Sequence, residues 1–167
     1  MSKWFKRVMK ERSQDLLPGE TLRAATYFQS AGSASARIAG GMAHARGGSL
    51  AQERAGEAIQ SAMQNASGRH HAPEGSHAAL LPSPFGIFAV TDQRALVFGY
   101  KQGFFSTKIL EPVAIYSFDQ LTGMSYKPGS LVGTLNLAFS DSSTGGLEIP
   151  RVNKPAAFVE TLGIPTV

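Results

Sequence analysis

The chain has 167 residues, 43% hydrophobic and 17% charged, with no cysteine. Such a composition suits one packed domain and excludes a largely disordered chain, a disulfide framework, thiolate catalysis and a cysteine-ligated zinc. The formal charge of +4 lies wholly in residues 1–12, where Lys3, Lys6, Arg7, Lys10 and Arg12 stand against Glu11; the remainder balances, so no nucleic-acid partner is expected.

Residues 1–15 read as a short basic helix, with Trp4, Phe5, Val8 and Met9 on one face and most cations on the other. Two fates are open to it. Trp4 and Phe5 suit an acyl boundary while Lys6, Arg7 and Lys10 meet anionic headgroups. The same apolar face equally suits packing on the protein body or on a neighbouring subunit. Leu17-Pro-Gly-Glu20 breaks the helix, and Thr21 to Gln29 reads as a strand.

Residues 30–84 change character, being crowded with Ala, Gly, Ser and His and empty of aromatics. A capping box at Ser49 and Gln52, helical spacing from Ala55 to Ala66 and a stop at Gly68 predict a helix over about 49–66. A weaker helix around Ile38 and Met42 is interrupted by Gly40 and Gly41, each costing about 1 kcal/mol relative to Ala. The small face carrying Ile38, Met42, Ile59 and Met63 needs something to pack on, and a second copy of the chain would satisfy it. An excursion of this length is expected to be functional or disordered. His44, His70, His71 and His77 match no metal-ligand spacing and read as solvated loop residues; no metal or cofactor is expected.

From Phe85 onward the pattern becomes short strands, near 86–91, 94–101, 107–117, 121–127, 133–140 and 145–151. Thr91-Asp-Gln-Arg94 holds an acid, a base and a hydroxyl, but two residues joining two apolar runs is hairpin geometry. Asp92 is expected to accept the turn's own backbone amides, and Arg94 to pair with a nearby carboxylate. Phe104-Phe105, flanked by Lys101 and Lys108, falls at a hairpin tip, where an exposed ring would suit a membrane or partner. A terminal helix spans 153–163, with Asn153 as polar cap, Pro155 in the first turn and Gly163 past the end. No GxSxG, HExxH or GxxxxGK[ST] motif is present, so an enzyme is not expected.

Leu17-Pro-Gly-Glu20, Phe88-Ala-Val-Thr-Asp-Gln-Arg-Ala-Leu-Val-Phe98, Asp119-Gln-Leu-Thr-Gly-Met124 and Ala157-Phe-Val-Glu-Thr-Leu162 occur in that order. Together they resemble the small bacterial pleckstrin-homology and GRAM-type domains, over about 16–29 and 85–163. The resemblance implies a mainly β fold, a bent seven-stranded antiparallel barrel capped by a C-terminal helix. Here that domain, 16–163, would carry the helical insert 30–84 between its first and second strands, with helix 1–15 before it and a tail at 164–167. Such domains bind lipid headgroups, peptides or copies of themselves and rarely catalyse. In phosphoinositide-binding members the first loop is short and basic; here the insert takes that place and its cations are scattered.

The expectation is therefore a non-catalytic scaffold that binds a protein partner and, through the insert, itself as a homo-oligomer. The alternative is a peripheral module on an anionic membrane surface, using the N-terminal helix and Phe104-Phe105. A third class is a small-ligand carrier or enzyme using the barrel mouth. No apolar run approaches the roughly 18 residues of a membrane span, and no secretory signal is evident, so the expected location is cytoplasmic or at the membrane's inner face.

Overall fold

The computed structural model describes residues 2–30, 72–102 and 107–167. Helix α1 (Lys3–Arg12) and a 3₁₀ turn (Ser13–Asp15) lead into β1 (Leu22–Ser30). Six further strands follow in the chain: β2 (Phe85–Thr91), β3 (Arg94–Gln102), β4 (Thr107–Ser117), β5 (Leu121–Lys127), β6 (Val132–Phe139) and β7 (Thr144–Pro150). Helix α2 (Pro155–Leu162) comes last. The strands form one sheet of order β4-β3-β2-β1-β7-β6-β5, with every neighbouring pair antiparallel.

Burial explains the sequence pattern on each strand. On β6 buried and half-buried residues alternate, so Leu135, Leu137 and Phe139 point inward while the other face meets solvent. Strands β1 to β3 show no such alternation because both of their faces are covered. Phe28, Phe88, Val90, Ala95 and Val97 join the interior with Tyr116, Leu147, Ile149 and Phe158. Ala25, Tyr27, Ile87, Ala89, Leu96 and Phe98 lie on the opposite face, under α1. An antiparallel strand buried on both sides reads as a continuous apolar run, and Ile87-Phe88-Ala89-Val90 is one.

Helix α1 therefore has its apolar side against the sheet. Ser2 caps it, its Oγ accepting from the Phe5 amide at 3.1 Å and donating to the Ala25 carbonyl at 2.8 Å. Trp4 stacks on Tyr27, centroids 5.3 Å apart, and meets the edge of Tyr100. Val8 is fully buried, Phe5 is half-buried, and Met9, expected on the same face, is instead 40% exposed. The contact stripe is narrower than the sequence implied because the next ridge of the helix makes polar bonds. Arg7 donates from Nη2 to the Thr107 carbonyl at 3.0 Å, and Glu11 accepts from the Ile109 amide at 3.1 Å.

The expected barrel is an open sheet: β4 and β5 are its two edges and do not pair with one another. Each edge is occupied by other parts of the chain. Arg7 and Glu11 take up groups of β4, as above. On β5, Tyr126 donates its amide to the Pro165 carbonyl and accepts from the Val167 amide, so residues 165–167 form a one-residue parallel bridge beside it. The segment 72–81 lies over the interior, with Ala78 fully buried and the Tyr116 hydroxyl donating to the His77 carbonyl at 2.8 Å.

Helix α2 begins one residue later than the cap expected at Asn153. Its N-cap is Lys154, which makes no side-chain capping bond, and its C-cap is Gly163 at φ +64°. The predicted helix at 49–66 and the residues Ile38, Met42, Ile59 and Met63 lie outside the described residues, as do Phe104 and Phe105.

Candidate functional site

The first turn of α1, the start of β1 and the segment leading into α2 enclose a groove of about 620 Å³. Its floor is Trp4, Leu22, Ala24, Ala25 and Phe158; Lys3, Arg23 and Lys154 stand exposed around it, and among the described residues no carboxylate lines it. Val152, at its rim, is 80% exposed.

Local sequence explains how each element presents its part. The β1–β2 register shifts between Leu22 and Ala24, and Arg23 sits in that irregularity as the one exposed residue of the strand's first seven. A bulge re-aims a side chain in this way. Pro150 ends β7, a 3₁₀ turn spans Arg151–Asn153, and Lys154 then adopts φ +53° before Pro155 opens α2. A left-handed backbone costs a non-glycine residue about 1 kcal/mol, so a glycine would relax this position while removing its charge.

Polar joints fix the walls. Trp4 donates from Nε1 to Asn153 Oδ1 at 3.0 Å, in a buried contact that ties α1 to the α2 approach across 149 residues of sequence. Ser2 ties the same helix to β1 through the Ala25 carbonyl. Asn153 itself is 9% exposed. The first turns of α1 and α2 hold no acidic residue, and a lysine stands at the start of each. Helix N-termini carry partial positive charge and favour anions, so both lysines sit where the helix fields disfavour them.

Two polar clusters elsewhere are structural. Glu20, its side chain out of solvent, receives Arg94 through Nε to Oε1 and Nη2 to Oε2, both at 2.8 Å. Its Oε2 also accepts the Leu17 amide at 2.7 Å, closing the Leu17-Pro-Gly-Glu20 turn, and Thr91 Oγ1 lies 2.7 Å from Oε1. Arg94's hydrogen bonds hold the Glu20 carboxyl at about 2, well below its usual value, against the opposing effect of burial. Arg94 thus finds the carboxylate expected for it. The turn itself differs from expectation: Thr91 Oγ1, not Asp92, accepts the Gln93 and Arg94 amides, at 3.1 and 2.9 Å. Asp92 faces outward to receive the Thr21 amide at 2.9 Å. Thr91-Asp-Gln-Arg94 and Leu17-Pro-Gly-Glu20 are two halves of one joint.

The second cluster unites Asp141, Ser143 and His77, residue types that also make up hydrolytic triads. Ser143 Oγ donates to Asp141 Oδ1 at 2.6 Å, but Asp141 Oδ2 accepts the His77 backbone amide, not its ring. The imidazole lies against Tyr116 and Phe139 instead. The Ser143 hydroxyl also accepts the Ala78 amide at 3.2 Å, so the arrangement pins segment 72–81 to the β6–β7 turn. Hydrogen bonds from Ser143 and then from the His77 amide lower the Asp141 carboxyl to about 2. Among the described residues no three His, Asp or Glu side chains are grouped as a metal site.

Of the residues singled out for contact in the sequence, Trp4 lies in the groove floor, 5% exposed, and Phe5 lines the groove half-buried. Lys6 and Lys10 face solvent from α1. Arg7 lies between Glu11, at 2.7 Å, and Thr107, and is not a free cation. Lys101 and Lys108 are exposed register partners across β3 and β4. Sequence reasoning passed over Arg23, Asn153 and Lys154 as groove residues. The one signal present was a lysine rather than an acid or small polar residue beside Pro155 at a helix start. A second, shallower depression of about 430 Å³ over β5, β6 and β7 is lined by uncharged residues such as Gly123, Ser125, Asn136 and Thr144. No family model, curated protein or solved structure matches this chain.

Proposed function

We propose that this chain is a pleckstrin-homology-like, non-catalytic binding module that receives a protein partner in the groove between α1, β1 and α2. The observation that carries the reading is the groove itself, an apolar floor ringed by Lys3, Arg23 and Lys154 with walls already fixed by Ser2 and the Trp4–Asn153 bond. A site whose walls need no ordering loses less entropy on binding. The likeness to pleckstrin-homology domains is supported by the antiparallel meander, its strand order and the helix after the last strand.

The membrane alternative draws less support. Of Trp4 and Phe5, the side chains that would enter an acyl boundary, Trp4 is buried against the sheet and Phe5 is half-buried, while the helix turns Lys6, Met9 and Lys10 outward. Among the described residues no helix is long and apolar enough to cross a membrane.

The test is photocrosslinking in cells from a photoreactive phenylalanine analogue at Val152. The reading expects a discrete adduct heavier than the 17.7 kDa chain, abolished by Arg23→Glu combined with Lys154→Glu. Absence of any adduct, or one indifferent to charge reversal, would remove the groove as a partner site.

A further inference from the structure

The groove's charge and shape name the chemistry of its occupant. We infer that it takes an acidic peptide segment of another protein, with one apolar side chain seated on the Trp4–Phe158 floor and carboxylates spread around the rim. This rests on the binding-module reading above and adds the ligand class to it.

Four observations converge. Lys3, Arg23 and Lys154 come from three different elements, and among the described residues no carboxylate lines the groove with them. Cations distributed around a rim match charges spaced along a chain better than a single phosphate. Two of these lysines begin helices, against the local field, and Lys154 does so in a left-handed backbone conformation at φ +53°. Both features cost the free protein stability, and an anion in the groove offsets the electrostatic part. Asn153 accepts from Trp4 through Oδ1, so the floor is held in place before a ligand arrives. The apolar floor accommodates one aliphatic or aromatic side chain and gives no role to a fully hydrophilic ligand.

A second copy of this chain is a poor occupant. Glu11, Asp15 and Glu20 do flank Leu16-Leu17, but each is already paired within its own chain, with Arg7, Arg12 and Arg94.

Trp4 is the chain's single tryptophan and forms part of the floor, so its emission reports occupancy directly. The probe is a twelve-residue peptide of Glu and Asp with one central Phe, titrated at low salt into the full chain. Saturable binding with a shift in Trp4 emission is expected, weakening steeply as salt is raised. Arg23→Glu and Lys154→Gly should each weaken binding at least tenfold, with Lys154→Gly leaving the melting temperature unchanged or higher. Lys127→Glu, on β5 outside the groove, should leave affinity unaltered. No saturable response, or affinity indifferent to Arg23→Glu and Lys154→Gly, overturns the inference. Vesicles of phosphatidylserine and phosphatidylcholine form the second arm: a Trp4 response to them but not to the peptide assigns the groove to lipid and overturns it too. If the Val152 adduct persists while the peptide fails, the binding reading survives and only the ligand class falls; if the adduct is also missing, both fall.

Discussion

Glu20 and Arg94 exchange two hydrogen bonds at 2.8 Å with the Glu20 side chain out of solvent, so neither charge can be removed without stranding the other. Breaking one side of a buried pair costs about 3–5 kcal/mol; Glu20→Gln is expected near the lower end, because Arg94 keeps the Asp15 carbonyl at 2.9 Å. Urea denaturation measures this, and a loss below about 1 kcal/mol would mean that the joint is dispensable. The pH dependence has a definite sign. The carboxyl's pKa in the fold, about 2, lies below its ordinary 4.5, so its stabilisation is complete above 4.5 and is lost as pH falls from there towards 2. Glu20→Gln should flatten that part of the stability profile. The same residue scale holds the explanation for Thr91-Asp-Gln-Arg94, whose acid, base and hydroxyl each bond to the turn or its neighbour.

Helix α1 illustrates what an element does beyond its own sequence. Its isolated ten residues would be marginal in water; in the fold, Trp4 and Val8 bury against β1, β2 and β3, and Ser2, Arg7 and Glu11 bond to β1 and β4. Trp4→Ala removes a 5%-exposed indole and its bond to Asn153, and large aromatic truncations of this kind cost about 3–5 kcal/mol. The expected result is a melting temperature lower by about 6–20 °C and, because the groove loses both a wall and a floor, loss of the Val152 adduct. Unchanged stability would show that α1 is only loosely docked. The amphipathic pattern was plain in the sequence, but two partners were compatible with it. The sheet's outer face takes the apolar stripe here, since Tyr27, Ile87, Leu96 and Phe98 would otherwise be uncovered.

At the scale of the whole molecule, an open seven-stranded sheet has two edges, and unpaired edges invite association between chains. Arg7 and Glu11 engage part of β4, while residues 165–167 lie beside β5 at Tyr126. Part of each edge is thus already engaged within the chain, and our proposal for self-association rests on the Ala-rich sequence of residues 30–84. The expectation for the full chain is a mass above 17.7 kDa in sedimentation at high concentration, reduced to monomer by Ile59→Glu with Met63→Glu. A monomer at every concentration would remove the homo-oligomer reading and leave the groove untouched.

The strand succession and the terminal helix were legible because the controlling signals are local: apolar runs of strand length, two-residue turns such as Asp92-Gln93, Pro155 to start a helix and Gly163 to stop it. The sequence by itself thus determined a mainly β chain with helices at both ends, and where most of its strands begin and stop. Tertiary structure alone decided that the sheet stays open, that Glu20 is the partner of Arg94, that α1 lies on the sheet and that Lys3, Arg23 and Lys154 share one groove. Each of these unites residues distant in sequence, Trp4 and Asn153 being 149 positions apart. Periodicity and propensity reach only a few residues along a chain, whereas charge and burial act through space, and packing sets which distant residues become neighbours.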